Sequence, residues 1–160
     1  MRRYCCPYIC EDSLNCDVSN ETDILTSHLG QAIVYANGEL KDELIEVSNL
    51  LFAFMSALRM NREFKREYVE YIEGLETKYK SQLLEKKLFV IPTGNQLSAS
   101  LHLCRAYAKK ASRMYFKFEG SSDFNNDDMS DFINILSTMF YNIAKHVNQE
   151  ANITEIEVRR

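Results

Sequence analysis

Apolar residues recur along most of the chain at alternating steps of three and four positions, which is the period of a helix with one buried face. One such segment carries Leu40, Leu44, Val47, Leu51, Phe54 and Leu58. The same period predicts four further helices, over about residues 20–36, 61–83, 96–118 and 127–148. The pattern therefore favours an all-α fold.

Turn-forming residues separate these helices by short connections. Asn37-Gly38 is a helix stop signal, residues 93–95 break the chain before the fourth helix, and a glycine-serine stretch begins at Gly120. Short connections make neighbouring helices antiparallel, so we expect an up-and-down bundle of four or five helices. Residues 88–92 are predicted to be extended, and the alternating tail at 153–158 to be a short strand or a surface tail.

Composition limits the class of protein and its setting. The chain has 160 residues, of which 46% are hydrophobic, and its formal net charge is −4. This length suits one helical domain over residues 18–160, preceded by an irregular Cys-rich segment over residues 1–17. The acidic balance gives no reason to expect nucleic acid or an anionic membrane as a partner. With no long apolar run and no secretory signal pattern, we expect a cytoplasmic protein.

Four of the five cysteines lie near the start of the sequence, at Cys5, Cys6, Cys10 and Cys16. Several thiolates at this spacing could bind Zn²⁺ or Fe²⁺. The simpler interpretation is a set of free thiols, since an odd cysteine count argues against a closed disulfide framework. The sequence prediction assigns no metal site.

The fourth predicted helix carries a cationic ridge and, from residue 95 to 118, no acidic residue. Its cations Arg105, Lys109, Arg113 and Lys117 are spaced four apart and so lie along one side of the helix. Like charges at this spacing repel by roughly a few tenths of a kcal/mol per pair. The ridge therefore favours a bound anion, for which polyphosphate is a natural candidate, or a solvated face paired with acids from other helices.

Motifs in three separate segments carry a resemblance to a known family. The sequence FVIPTGN at 89–95 is followed by SASLHLCR at 98–105; FINILS occupies 132–137 and DILTSHLG occupies 23–30. Together they resemble the signature of the PduO-type ATP:corrinoid adenosyltransferases over about residues 18–160. The resemblance implies a five-helix bundle that forms homotrimers, with active sites between neighbouring subunits. It also implies transfer of the 5′-deoxyadenosyl group of ATP, taken with Mg²⁺, to the reduced cobalt of a corrinoid such as cobalamin, with release of triphosphate.

Site residues carry over from the family by position. Arg105 would pair with Asp23 across the subunit interface and hold the site together. Phe89 would crowd the lower face of the corrin and favour four-coordinate cobalt.

A second group of positions would hold the nucleotide. Lys109 and Arg113 would lie against the triphosphate, and Asn134 would bind ATP. His102 falls at the family's Leu-His position, where a packed, hydrogen-bonded histidine is the simplest interpretation.

The sequence also departs from the family pattern. The family's glycine-containing phosphate loop is replaced by residues 1–15, which contain no glycine. Ser112, Ile135 and Thr138 stand where the family has Glu, Arg and Asp. Two functions therefore remain open: a working adenosyltransferase, or a catalytically impaired corrinoid-binding carrier or regulatory subunit. An unrelated helical bundle is disfavoured by the ordered matches.

Overall fold

The computed structural model describes residues 11–84 and 89–159. Its helices are α1 (Leu14–Tyr35), α2 (Gly38–Met60), α3 (Arg66–Ser81), α4 (Gln96–Glu119) and α5 (Asp127–Glu150). The predicted all-α, five-helix fold is confirmed. No helix in the described ranges is long and apolar enough to cross a membrane.

Helix α1 begins at Leu14, six residues before the predicted start. The side chain of Ser13 accepts a hydrogen bond from the backbone N–H of Cys16 at 3.2 Å, which makes Ser13 the N-cap. Cys16 and Val18 are buried, so the apolar face extends further than the sequence pattern indicated. The predicted boundary between the Cys-rich segment (residues 1–17) and the helical bundle (residues 18–160) therefore lies inside α1.

Helix α3 begins at Arg66, and the prediction of a start near residue 61 was wrong. Asn61 adopts a left-handed conformation with φ of 51° and ends α2. A left-handed residue cannot continue a right-handed helix, so residues 61–65 form the connection. Phe64 lies in this connection and is nevertheless buried.

Helix α4 lies between α1 and α5, while α3 packs on α5 and α2 packs on α1. Aromatic side chains from four different segments pack together in one region of the core. The ring of Phe54 lies 5.7 Å from Phe132, 5.5 Å from Tyr115 and 6.0 Å from Phe64, measured between ring centroids. These contacts join α2, α4, α5 and the connection before α3 into one core.

The C-terminal tail pairs with the extended segment that precedes α4. The N–H of Ile91 donates to the carbonyl of Ile156 at 2.8 Å, and the N–H of Val158 donates to the carbonyl of Phe89 at 3.2 Å. This antiparallel contact agrees with the alternating pattern of the tail. It holds Phe89 beside the bundle instead of leaving it in a free loop.

The hypothesis of a metal bound by cysteines concerns mostly residues outside the described ranges, since Cys5, Cys6 and Cys10 lie there. Cys16 and Cys104 are both buried, and neither forms a disulfide with another described residue. Burial raises the pKa of the Cys104 thiol to about 12, so it stays protonated at neutral pH. The metal hypothesis remains untested.

Replacing Phe54 with Ala should lower the free energy of unfolding by about 3–5 kcal/mol, because a fully buried ring is lost and a cavity remains. Phe52, on the same helix and 56% exposed, provides the matched control. Phe52→Ala should change the same quantity by less than about 0.5 kcal/mol. Urea denaturation of both variants at one protein concentration measures the difference, and equal losses would contradict this account of the core.

Candidate active site

A cleft of about 250 Å³ opens between α4, α5 and the extended segment that carries Phe89. Its lining consists of two cations of α4 (Arg105 and Lys109), three hydroxyl side chains of α5 (Ser137, Thr138 and Tyr141) and the segment residues Phe89 and Val90. Three residues singled out in the sequence, Phe89, Arg105 and Lys109, are thus brought together. A wall of cations and hydroxyl groups with one exposed aromatic ring suits a ligand that is part phosphate and part flat ring.

The other predicted residues lie outside this lining. Arg113 is exposed on α4 one turn beyond Lys109, and Asn134 is exposed on α5 one turn before Thr138. Because α4 and α5 run antiparallel, both positions extend the cleft in the same direction. Asp23 is exposed on α1, and its place in a site stays a prediction.

The cations of α4 are not equivalent. Lys110 Nζ lies 2.8 Å from the carboxylate of Glu21 on α1, and this contact raises the lysine's pKa. Lys109 and Arg105 form no salt bridge with any residue in the described ranges, and Arg105 Nε is buried without a hydrogen-bond partner there. The charge facing the cleft is therefore available to an outside anion.

His102 lies behind the cleft, one turn before Arg105 on α4. Its side chain is only 4% exposed, and its ring centroid lies 6.2 Å from that of Tyr141. Burial, together with the positive charges of Arg105 and Lys145, lowers the pKa of His102 to about 4. The ring is therefore neutral at physiological pH, and neither ring nitrogen has a hydrogen-bond partner among the described residues. The predicted hydrogen-bonded packing of this histidine was wrong in that respect.

Tyr141 is the lining residue that the sequence analysis did not single out. It follows Ser137 by four positions, so a helical projection of the matched 132–137 motif could have found it. Burial and the charge of Glu155 raise the pKa of its hydroxyl, while Arg105 acts in the opposite direction. Tyr141 therefore presents a protonated hydroxyl and an aromatic ring to the cleft at neutral pH.

The departures from the family pattern occupy different environments. Thr138 lines the cleft, whereas Ile135 packs against the core and Ser112 is half-buried on α4. Among the residues described as lining the cleft there is no carboxylate. The local field is therefore positive.

Comparisons with known proteins agree with these features. The family model described as cobalamin adenosyltransferase matches residues 9–147. The corrinoid adenosyltransferase of Bacillus subtilis is 25% identical over 160 residues, covering 94% of this chain and 82% of the relative. Corrinoid adenosyltransferase MMAB of Mus musculus is 33% identical over 141 residues, covering 78% of this chain and 58% of the relative.

Solved structures agree in fold. A variant of the PduO-type adenosyltransferase of Lactobacillus reuteri, complexed with ATP, superimposes with a TM-score of 0.83 at 26% identity, covering 92% of this chain and 89% of that one. Another variant from the same organism, complexed with cobalamin and ATP, gives a TM-score of 0.83 at 25% identity, with coverage of 92% and 85%. Since the family model spans most of the sequence, the chain belongs to the cobalamin adenosyltransferase family.

Proposed function

We propose that this protein is an ATP:cob(I)alamin adenosyltransferase, and that the cleft between α4 and α5 is part of its active site. The observation that carries the proposal is the pair Arg105 and Lys109, which face the cleft beside Phe89 without a neutralising carboxylate from the described part of the same subunit. Related proteins of the same fold are complexed with ATP and cobalamin. ATP and a corrinoid are the two substrates.

The reaction needs positioning more than acid–base chemistry. The reduced cobalt of the corrinoid supplies an electron pair that forms a bond to C5′ of ATP. The C5′–O bond breaks, and its electrons leave with triphosphate. Because cob(I)alamin is a strongly reduced species, we place the protein in a reducing, cytoplasmic compartment. His102, held neutral and buried, needs no role as a base in this scheme.

Fixed cations stabilise the negative charge that develops on the leaving triphosphate. Lys109 provides one such charge within the cleft, and Arg113 provides a second one turn further along α4. Asn134 lies on the facing edge of α5, where its amide can bind the nucleotide through both a donor and an acceptor. The phosphate tail would therefore lie along the ridge, in the direction away from Phe89.

The aromatic end of the cleft is assigned to the corrin. Phe89 is 61% exposed, and Tyr141 contributes a second ring to the lining of the cleft. Apolar rings at this position exclude water and a water ligand from the lower face of the cobalt, which favours the four-coordinate state. Phe89 can serve this role because the pairing with the C-terminal tail fixes its backbone.

Mg²⁺ does not fit this wall as a protein-bound ion. The oxygen donors described in the cleft are the hydroxyls of Ser137, Thr138 and Tyr141, whereas Mg²⁺ is usually bound by carboxylates and phosphates. No step of the proposed reaction depends on a magnesium site in the protein, and the ion enters only as a companion of the nucleotide.

We further propose that the protein is a homotrimer whose active sites lie between subunits. Asp23 is exposed on α1, and neither it nor Arg105 has a salt-bridge partner within the described part of one subunit. A second copy of the chain would bring the two charges together and neutralise Arg105 next to the cleft. The resemblance to the family implies this same pairing.

The activity test is to mix the protein with ATP and chemically reduced cob(I)alamin and to follow the corrinoid spectrum for the cobalt–carbon product. Lys109→Ala should lower kcat/KM by roughly tenfold to a hundredfold, because a fixed cation beside the leaving group is lost. Lys110→Ala is the matched control and should remain within about twofold, since Lys110 is paired with Glu21.

Two results would argue against the assignment. A Lys109→Ala variant as active as the wild type would remove this residue from the site. Wild-type protein that binds the corrinoid tightly yet forms no cobalt–carbon bond would identify a catalytically impaired carrier or regulatory subunit instead.

The intersubunit pair predicts a charge-reversal pattern. Asp23→Arg and Arg105→Asp should each weaken trimer association by roughly tenfold or more, because like charges would meet at the interface. The double variant should recover most of the association, because the pair is restored in the opposite sense. Sedimentation velocity over a range of concentrations measures this. A wild-type protein that stays monomeric, or a double variant no better than either single one, would refute the pairing.

A further inference from the structure

Two neighbouring side chains on α4 each have a buried polar atom without a partner. Neither ring nitrogen of His102 has a hydrogen-bond partner in the described part of the chain, and the same is true of Arg105 Nε. The residues are three positions apart, so their side chains lie on the same side of the helix. Arg105 Nε–H is a donor, and a neutral imidazole has one nitrogen that only accepts. The two unsatisfied groups are therefore complementary.

The charges around His102 favour the acceptor form of its ring. Arg105 is the cation on its own helix, and Lys145 on α5 is the second. Lys145 is 4% exposed and lies 3.3 Å from the carboxylate of Glu155 in the tail, so this carboxylate is already engaged with another cation. Tyr141, also on α5, remains protonated at neutral pH. None of these groups would stabilise a positively charged imidazolium, so the neutral form of the ring is favoured.

We propose that His102 is a positioning residue that accepts a hydrogen bond from Arg105 Nε–H and thereby fixes the plane of the guanidinium in the cleft. The bond would form when rotation of the side chains brings the two unsatisfied groups together. With Nε engaged, the two terminal nitrogens of Arg105 point together toward the cleft, where they can bind an oxygen pair of a carboxylate or phosphate side by side. His102 itself touches no substrate and acts through Arg105.

Substitutions of His102 distinguish this positioning role from simple packing in the core. If His102 only fills space, His102→Leu should be tolerated, because Leu is an apolar side chain of similar size. If His102 is an acceptor, Leu leaves Arg105 Nε–H buried and unpaired, whereas Asn or Gln can restore an acceptor oxygen near one of the two ring nitrogens. The pattern across the three variants separates the two accounts.

The direct test follows the Arg105 Nε–H signal in ¹H–¹⁵N spectra of the full-length protein, with the signal assigned by its loss in Arg105→Lys. His102→Leu should shift this signal markedly, and at least one of His102→Asn and His102→Gln should return it toward the wild-type position. His146→Leu is the matched control, because His146 also has a buried nitrogen without a partner but lines a different cavity. It should leave the Arg105 signal unchanged.

The effect on turnover rests on the proposed function. In the adenosyltransferase assay, His102→Leu should lower kcat/KM by roughly tenfold, with partial recovery in the same amide variant that restores the spectrum. Thermal denaturation of His102→Leu and His146→Leu checks that the loss exceeds any shared destabilisation. If His102→Leu fails to fold, the Asn and Gln variants still decide: their oxygens reach different distances toward Arg105, so the Arg105 signal should differ between them, and an unchanged wild-type signal in both would overturn the inference.

The outcomes separate the inference from the function on which its kinetic effect depends. An Arg105 signal that does not respond to any substitution at His102, in a protein that is active, overturns the inference alone. A protein without transfer activity overturns the proposed function, while the spectra still decide whether the hydrogen bond exists.

Discussion

The packing of α4 on both sides, against α1 and α5, determines which of its side chains can meet a substrate. Its apolar residues face inward between these neighbours, as the burial of Leu101, Cys104 and Ala108 indicates. The cations are consequently confined to the outer half of the helix. Arg105 and Lys109, on the edge beside α5, share the cleft with the hydroxyl groups of Ser137 and Thr138, while Lys110, on the edge beside α1, faces Glu21. The division of α4 into an edge that lines the cleft and an edge that pairs with α1 follows from this packing.

The contrast between Lys109 and Lys110 makes this division concrete. The two lysines are adjacent in sequence and therefore about 100° apart around the helix. Lys110 is neutralised by Glu21, whereas Lys109 shares the cleft with Arg105, another cation. Without a bound ligand, two like charges one turn apart slightly destabilise the helix. A bound polyanion would attract both charges, so the pair would then stabilise the helix. Binding of a phosphate tail would thus be coupled to local stability at the middle of α4.

The fold could be predicted from the sequence because the apolar period of α2, α4 and α5 is long and regular. The starts of α1 and α3 could not, since they depend on the side chain of Ser13 and the left-handed backbone of Asn61, neither of which changes the apolar period. Among the residues that line the cleft, Arg105 and Lys109 could be singled out from their spacing and from motif resemblance. Tyr141 and the unpaired nitrogens of His102 were not, because they depend on how α4, α5 and the tail meet in space.

The three single-residue departures from the family pattern can be judged by charge. Relative to that pattern, Ser112 and Thr138 remove two negative charges, and Ile135 removes one positive charge, so the region becomes more positive by one unit. Ile135 packs against the core, where an apolar side chain is easily accommodated, and Thr138 keeps an oxygen donor at the cleft wall. Attraction for a polyphosphate is therefore not weakened by these changes. The substitutions instead remove groups that could orient the ligand, since Glu, Asp and Arg can hold each other and a ligand in a fixed geometry. Such a loss acts on the positioning of C5′ against the cobalt, and hence on the rate of transfer more than on the affinity for ATP.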